Sequence, residues 1–245
     1  EEAPAVPESV SFTDSLGRTV ELPADITRIA PSGAVATMIL AAIAPECMVT
    51  INAAPSESQM AFLPANLAAL PETGQMYGSK ANLNLETLLA ADPQVVIDLG
   101  DKKGDMTEDL DALQEQIGIP VIFIEADLPH MAAAFRTLGG LLSGKADRGE
   151  ELAALVDRTT AMAEENAAKI TDHMRVRAMY TTGEDGLGTN AAGSIQAHVL
   201  DMVGVENAVV VEDVSNKGGG NVISLEQLYT FDPDVILFAD GSIYD

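Results

Sequence analysis

The chain has 245 residues, 47% of them hydrophobic, which is enough to bury a sizeable core in one large domain or two small lobes and argues against disorder as the main state. Its 13 Lys and Arg stand against 38 Asp and Glu, and the formal charge of −25 repels nucleic acid phosphates and anionic lipid over long range. Nucleic acid is therefore not an expected partner, although Lys80, Lys102, Lys103 and Lys217 leave local basic spots in predicted loops.

No stretch reaches the run of about 18 apolar residues that spans a membrane. The opening EEAPAVPES carries no basic or apolar leader, and an export signal removed upstream accounts for such a start. VSFTDSLGRTVELP alternates polar and apolar residues around a Gly turn and predicts a hairpin. The strand TRIA follows, then the loop and apolar helix PSGAVATMILAAIA, and then the strand MVTIN. Cys47, the single cysteine, excludes an intrachain disulfide and reads as a small buried hydrophobe.

Beyond a Pro-rich connection, VVIDLG is a strand, DMTEDLDALQEQIG a helix closed by Gly, and IPVIFIEAD a strand. Nearly continuous apolar strands alternating with helices predict a largely parallel sheet covered on both faces. Residues 131–172 contain no convincing strand and read as a helical connector, broken or bent near Gly139, Gly140 and Gly144. RVRAMYTTG then begins a second α/β segment, with the helix SIQAHVLDMVG and the strand-like VVVED.

NLNLETLLAADPQVVID and NVISLEQLYTFDPDVILF repeat one pattern on either side of that connector. Asn84 and Ser224 are helix caps, Glu86 and Glu226 place an acid in the first turn, and Asp92-Pro93 and Asp232-Pro233 end the helix and launch a strand. Local helix chemistry explains much of the likeness. It does not explain why an exposed acid recurs at the corresponding place in each lobe. Two such lobes leave a cleft at the carboxyl ends of parallel strands, where α/β folds bind small molecules.

The ordered set TDSLGRTVELP, TRIA, NLETLLAADPQVVID, GIPVIFIEAD, GSIQAHVLDMVGVENAV and ISLEQLYTFDPDVILF resembles the substrate-binding proteins of ABC importers, in the helix-linked class that serves ferric siderophores, haem and cobalamin. The resemblance implies two Rossmann-like α/β lobes with largely parallel sheets, residues 1–130 and 173–245, joined by the connecting helical segment 131–172. It also implies that Glu86 and Glu226 dock on arginines of the transmembrane subunits. After VILFADGSIYD the family pattern continues with further units, so the second lobe is read as incomplete.

The ligand site is expected in loops facing the cleft. The candidates are Ser32, Gly33, Asn52, Tyr77, Ser79, Lys102 and Lys103 from the first lobe, with Thr182, Glu184, Ser194 and Lys217 from the second. Small residues in SGA, TTGEDG and KGGG let backbone amides approach an anion or a bulky chelate, although each loop also reads as an ordinary turn. KGGGN lacks the GK[ST] of a phosphate-binding loop, so a nucleotide triphosphatase is rejected. Tyr77 and Tyr180 are of the type that holds ferric haem. Asp101, Glu125, Asp127, Glu184 and Asp185 are acids of the type that binds a bare metal ion. His130, His173 and His198 form no local ligand motif, and His198 reads as a helix residue.

No GxSxG, HExxH or paired-Cys motif points to an enzyme. The expectation is a monomeric extracytoplasmic binding protein, periplasmic or a cell-surface lipoprotein after signal removal. It carries no cofactor of its own, and its ligand is a metal chelate handed to ABC transporter transmembrane subunits. An oxyanion such as molybdate, a bare metal ion and a surface module outside transport are the alternatives.

Overall fold

Alternation around a Gly turn folds the amino-terminal end into a hairpin in the computed structural model, which describes residues 8–76, 81–102, 106–183, 185–215 and 220–239. Strands β1 (Ser9–Thr13) and β2 (Thr19–Pro23) pair antiparallel, and Gly17, at φ 81°, takes the left-handed turn position that a side chain resists. The turn is tied down by Asp14, a buried carboxylate that accepts the amides of Leu16 and Arg18 and pairs with the Arg18 guanidinium at 3.0 Å. Asp14 also accepts the amide of Phe123, and Arg18 reaches the carbonyl of Val121 and the carboxylate of Asp111. The hairpin is thereby fastened to the sheet that follows.

That sheet is three parallel strands in the order β3 (Ile29–Pro31), β4 (Val95–Gly100), β5 (Val121–Glu125). Their side chains alternate between two cores, as the two-residue period of a strand requires. Ile29, Ile97, Ile122 and Ile124 pack with α1 (Ala34–Ile43) and α5 (Met131–Leu141). Ala30, Val96, Val121 and Phe123 pack with α3 (Leu85–Ala90) and α4 (Met106–Ile117). Both faces are covered, which is why the strands read as unbroken apolar runs. The short α2 (Glu57–Met60) lies in the connection between them, opened by a Ser56/Gln59 capping box.

MVTIN is not a continuous strand. Cys47 and Val49 bond to Ile29, after which the chain changes neighbour and Ile51 bonds to Pro71 and Thr73, so only isolated bridges form. Of the glycines near which the connector is expected to break or bend, Gly139 and Gly140 stay helical in α5, and Gly144, at φ 70°, marks the break before α6 (Ala146–Ala167) begins. Gly139 and Gly149 instead serve a close helix crossing. A Cβ on Gly149 would stand 2.6 Å from the Phe135 carbonyl oxygen, and one on Gly139 would stand 3.0 Å from the Gly149 Cα.

The chain divides into two compact units, residues 1–156 and 157–245, and the division falls inside α6. The sheet of the second unit is mixed, a correction to the expected largely parallel arrangement. β6 (Arg177–Thr182) pairs parallel with β8 (Glu206–Asn207) and β10 (Val235–Phe238), but β7 (Gly188–Thr189) pairs antiparallel with β6 and β9 (Asn221–Val222). β6 ends at Thr182 and β7 starts at Gly188, and an antiparallel return follows from so short a connection. VVVED is not the strand. The Asn207 side chain accepts the Val209 amide at 3.0 Å and donates to the Asn190 carbonyl, which turns the chain out of the ladder. α7 (His198–Met202) and α8 (Leu225–Phe231) complete the unit, whose core is Met179, Ala191, Val209 and Ile223.

Candidate functional site

Parallel strands deliver their following loops to one edge, and in the first unit that edge gathers Ser32 after β3, Asp101 and Lys102 after β4, and Glu125, Asp127 and His130 at the end of β5. Ser32 is buried, its amide bonds to Ile97, and its hydroxyl donates to the buried carboxyl of Asp98. Gly33 caps α1 without any side-chain bond and lies against Gln75, with room of only 3.3 Å for a Cβ. A cavity of about 150 Å3 opens here, lined by Ser32, Gly33, Ala34, Gln75 and Asp98.

A larger groove of about 440 Å3 adjoins it, sharing Ala34 and lined mainly by apolar groups including Met38, Leu63 and Phe62. Asn52, Thr37 and Gln59 are its polar members, and the Thr37 hydroxyl accepts the Asn52 amide at 3.4 Å. Asn52 is half-buried and Lys102 exposed. In the second unit Thr182 is half-buried at the end of β6, whereas Ser194 is fully buried and its hydroxyl has no hydrogen-bond partner among the described residues. Tyr77, Ser79, Lys103, Glu184 and Lys217 lie outside the described residues. Cys47 is buried, and burial pushes its thiol pKa up, which suits a packed residue rather than a nucleophile.

Among the described residues, one group of potential metal donors converges: one ligand atom each of Glu125, Asp127 and His130 lies within 4.8 Å of the others. Asp127 Oδ1 accepts the His130 amide at 3.0 Å and stands 2.5 Å from the ring Nδ1. That hydrogen bond, with the charges of Asp127 and Glu125, raises the His130 pKa above its ordinary value. Asp101 and Asp185 join no such group, and His198 is a half-buried residue of α7.

Glu86 and Glu226 are exposed in the first turns of α3 and α8, one in each unit. Asn84 accepts the Thr87 amide at 3.1 Å, and Ser224 and Gln227 form a reciprocal capping box. Bonds from its own backbone amide and the Ser224 hydroxyl lower the Glu226 pKa. Each helix ends on an Asp in the left-handed conformation, Asp92 at φ 50° and Asp232 at φ 46°.

Each helix end is gripped by an arginine at the start of the neighbouring strand, a partner that the sequence reading missed. Arg28 donates through Nε to the Asp92 carbonyl and Arg177 through Nη1 to that of Asp232, both at 2.9 Å. The amides of the same arginines are accepted by the side chains of Gln94 and Asp234, again both at 2.9 Å. Aligning TRIA with VRAM beside the two Asp-Pro turns would have revealed the pair.

No curated protein sequence matches the chain significantly. Among solved structures it is similar to an ABC transporter solute binding protein from Sulfurospirillum deleyianum, with 25% identity and a TM-score of 0.83 over 96% of this chain and 72% of that one. A molybdate periplasmic binding protein of Haemophilus influenzae shares the fold at 20% identity and a TM-score of 0.72, covering 94% of this chain and 73% of that one. A petrobactin-binding protein from Bacillus subtilis does so at 14% and 0.69, covering 98% and 80%. The family profile described as periplasmic binding protein matches residues 39–243, a span that takes in both capped helices and both Asp-Pro turns. The chain thus belongs to the periplasmic binding protein family, the extracytoplasmic, non-catalytic solute-binding components of ABC importers.

Proposed function

We propose that the solute is a bulky metal chelate of the ferric siderophore, haem or corrinoid type, delivered to the transmembrane subunits of an ABC permease. The observation that carries this reading is the groove of about 440 Å3 beside the start of α1, which has the size and apolar lining of a small-molecule site. Ser32, Gly33, Asn52 and Lys102 are the proposed contacts of the first unit, and Thr182 and Ser194 those of the second. Ser194 takes part only if its loop opens, because its hydroxyl is buried. Tyr77, Ser79, Lys103, Glu184 and Lys217 are proposed from the sequence pattern alone.

An oxyanion is the second reading, favoured by the shared fold with a protein that binds molybdate. Against it, the Ser32 hydroxyl hydrogen is already given to Asp98 and so is not offered to an anion. A thermal-shift screen with ferric siderophores, haem, cobalamin and molybdate separates the two, since a ligand of the folded state must raise apparent stability. A saturable shift with one chelate class is expected. A shift with molybdate alone overturns the chelate assignment.

Glu86 and Glu226 are proposed to dock the permease, because each is presented on a capped helix, one per unit. Their replacement by Ala is expected to leave ligand affinity unchanged and to impair uptake by cells. Unimpaired uptake, or lost ligand binding with normal docking, sinks the docking role.

A further inference from the structure

We propose that Glu125, Asp127 and His130 form a binding site for a zinc-type divalent cation, separate from the groove proposed for the chelate. Three residues of the first unit bring two carboxylates and one imidazole within 4.8 Å. Carboxylate oxygen and imidazole nitrogen together suit Zn2+ and its first-row neighbours, whereas Mg2+ and Ca2+ prefer an all-oxygen set.

The donors are held by backbone. Glu125 is the last residue of β5, in register with Gly100, and its amide donates to the Ser15 hydroxyl at 2.9 Å. The next amide, that of Ala126, bonds to the Gly100 carbonyl at 2.8 Å. His130 is brought back over the strand end because both the carbonyl and the side chain of Asp127 accept its amide. A helix-entry turn accounts for the Asp127 and His130 contact, but it does not account for Glu125. That carboxylate is half-buried beside the first, and among the described residues it has no hydrogen bond or ion pair. A cation shared by all three compensates the two carboxylates together.

The geometry needs one adjustment. His130 Nδ1 and Asp127 Oδ1 are 2.5 Å apart, and two donors bound to one ion at about 2.1 Å stand roughly 3 to 3.5 Å apart. The imidazole is half exposed and caps α5 without a side-chain bond, so it is free to swing by that amount as the ion replaces the shared proton. Water completes the coordination.

The test is isothermal titration of the full, chelator-stripped chain with ZnCl2, with CaCl2 and MgCl2 as comparisons. One saturable equivalent of Zn2+ is expected, with little heat from the other two. His130→Ala and Glu125→Gln, each checked for unchanged circular dichroism, are each expected to weaken Zn2+ at least tenfold, while His173→Ala and His198→Ala leave it unchanged. A perturbed His130 imidazole resonance on adding Zn2+ identifies the ligand directly. The proposal is overturned by absence of saturable Zn2+ binding, by full affinity in both His130→Ala and Glu125→Gln, or by a Ca2+ preference. Chelate-induced stabilisation persisting in His130→Ala alongside silent Zn2+ titrations overturns this site and leaves the proposed function standing. Zn2+ binding with a silent chelate screen does the reverse.

Discussion

The two copies of the cap, helix, Asp-Pro turn and strand share the left-handed Asp before the Pro and the arginine that grips it, yet they sit in different surroundings. In the first copy Leu88 is fully buried under α3, and β4 runs between two strands with Val95, Val96 and Ile97 essentially inaccessible. In the second copy, among the described residues, no residue of α8 is buried, Tyr229 is 84% exposed, and β10 pairs with β6 alone, with Val235, Leu237 and Phe238 open. Polar caps, a left-handed residue and an arginine grip recur in both copies, with α8 meeting its small core through the partly buried Leu228 and Phe231. Apolar burial decides how much each copy contributes to stability.

The largest expected contrast follows from that burial. Leu88→Ala should cost about 2–5 kcal/mol, because it empties a packed site, while Leu228→Ala, at the matching but only half-buried position, should cost about 1 kcal/mol. Urea unfolding of the two variants, followed by probes placed in each unit, measures the difference. Equal losses break the comparison.

Caps come next. Asn84→Ala and Ser224→Ala should each cost about 1 kcal/mol, because each removes the side-chain acceptor of an amide in the first turn of its helix. Amide exchange in α3 and α8 reports each loss locally.

The smallest effect is a pH dependence at Glu226. Its folded pKa lies below the unfolded value, so its contribution is fully present above the ordinary glutamate range near pH 4.3 and is lost as pH falls through the folded pKa. The start of α8 should therefore loosen in acid, with Glu226→Gln flattening that part of the profile. Amide shifts of Leu225 to Gln227 between pH 6 and 3 test it, and the exposure of Glu226 keeps the effect slight.

What was readable in the sequence follows the same division between local and distant causes. The hairpin, β4, β5 and α4 declare themselves through period and apolar runs, because their own residues make the decisive contacts. The strands β8 and β9 do not. They are two residues long, and side-chain bonds of Asn207 and Asn221 to distant backbone set where the chain turns. The mixed sheet was hidden for the same reason. Glu86 and Glu226 could be singled out because a cap marks each one. Glu125, Asp127 and His130 were visible as separate titratable residues, but their convergence depends on a turn in which Asp127 captures the His130 amide.

The crossing of Gly139 and Gly149 has a thermal consequence. While its Leu152, Ala153 and Val156 pack against the apolar core, α6 meets α5 peptide against peptide at Gly149. Such a contact removes little hydrocarbon from water and draws on dispersion and Cα–H···O attraction, whose strength does not fade on cooling as hydrophobic burial does. The Gly139 and Gly149 approach should therefore weaken less in the cold than the Leu152 and Val156 packing beside it.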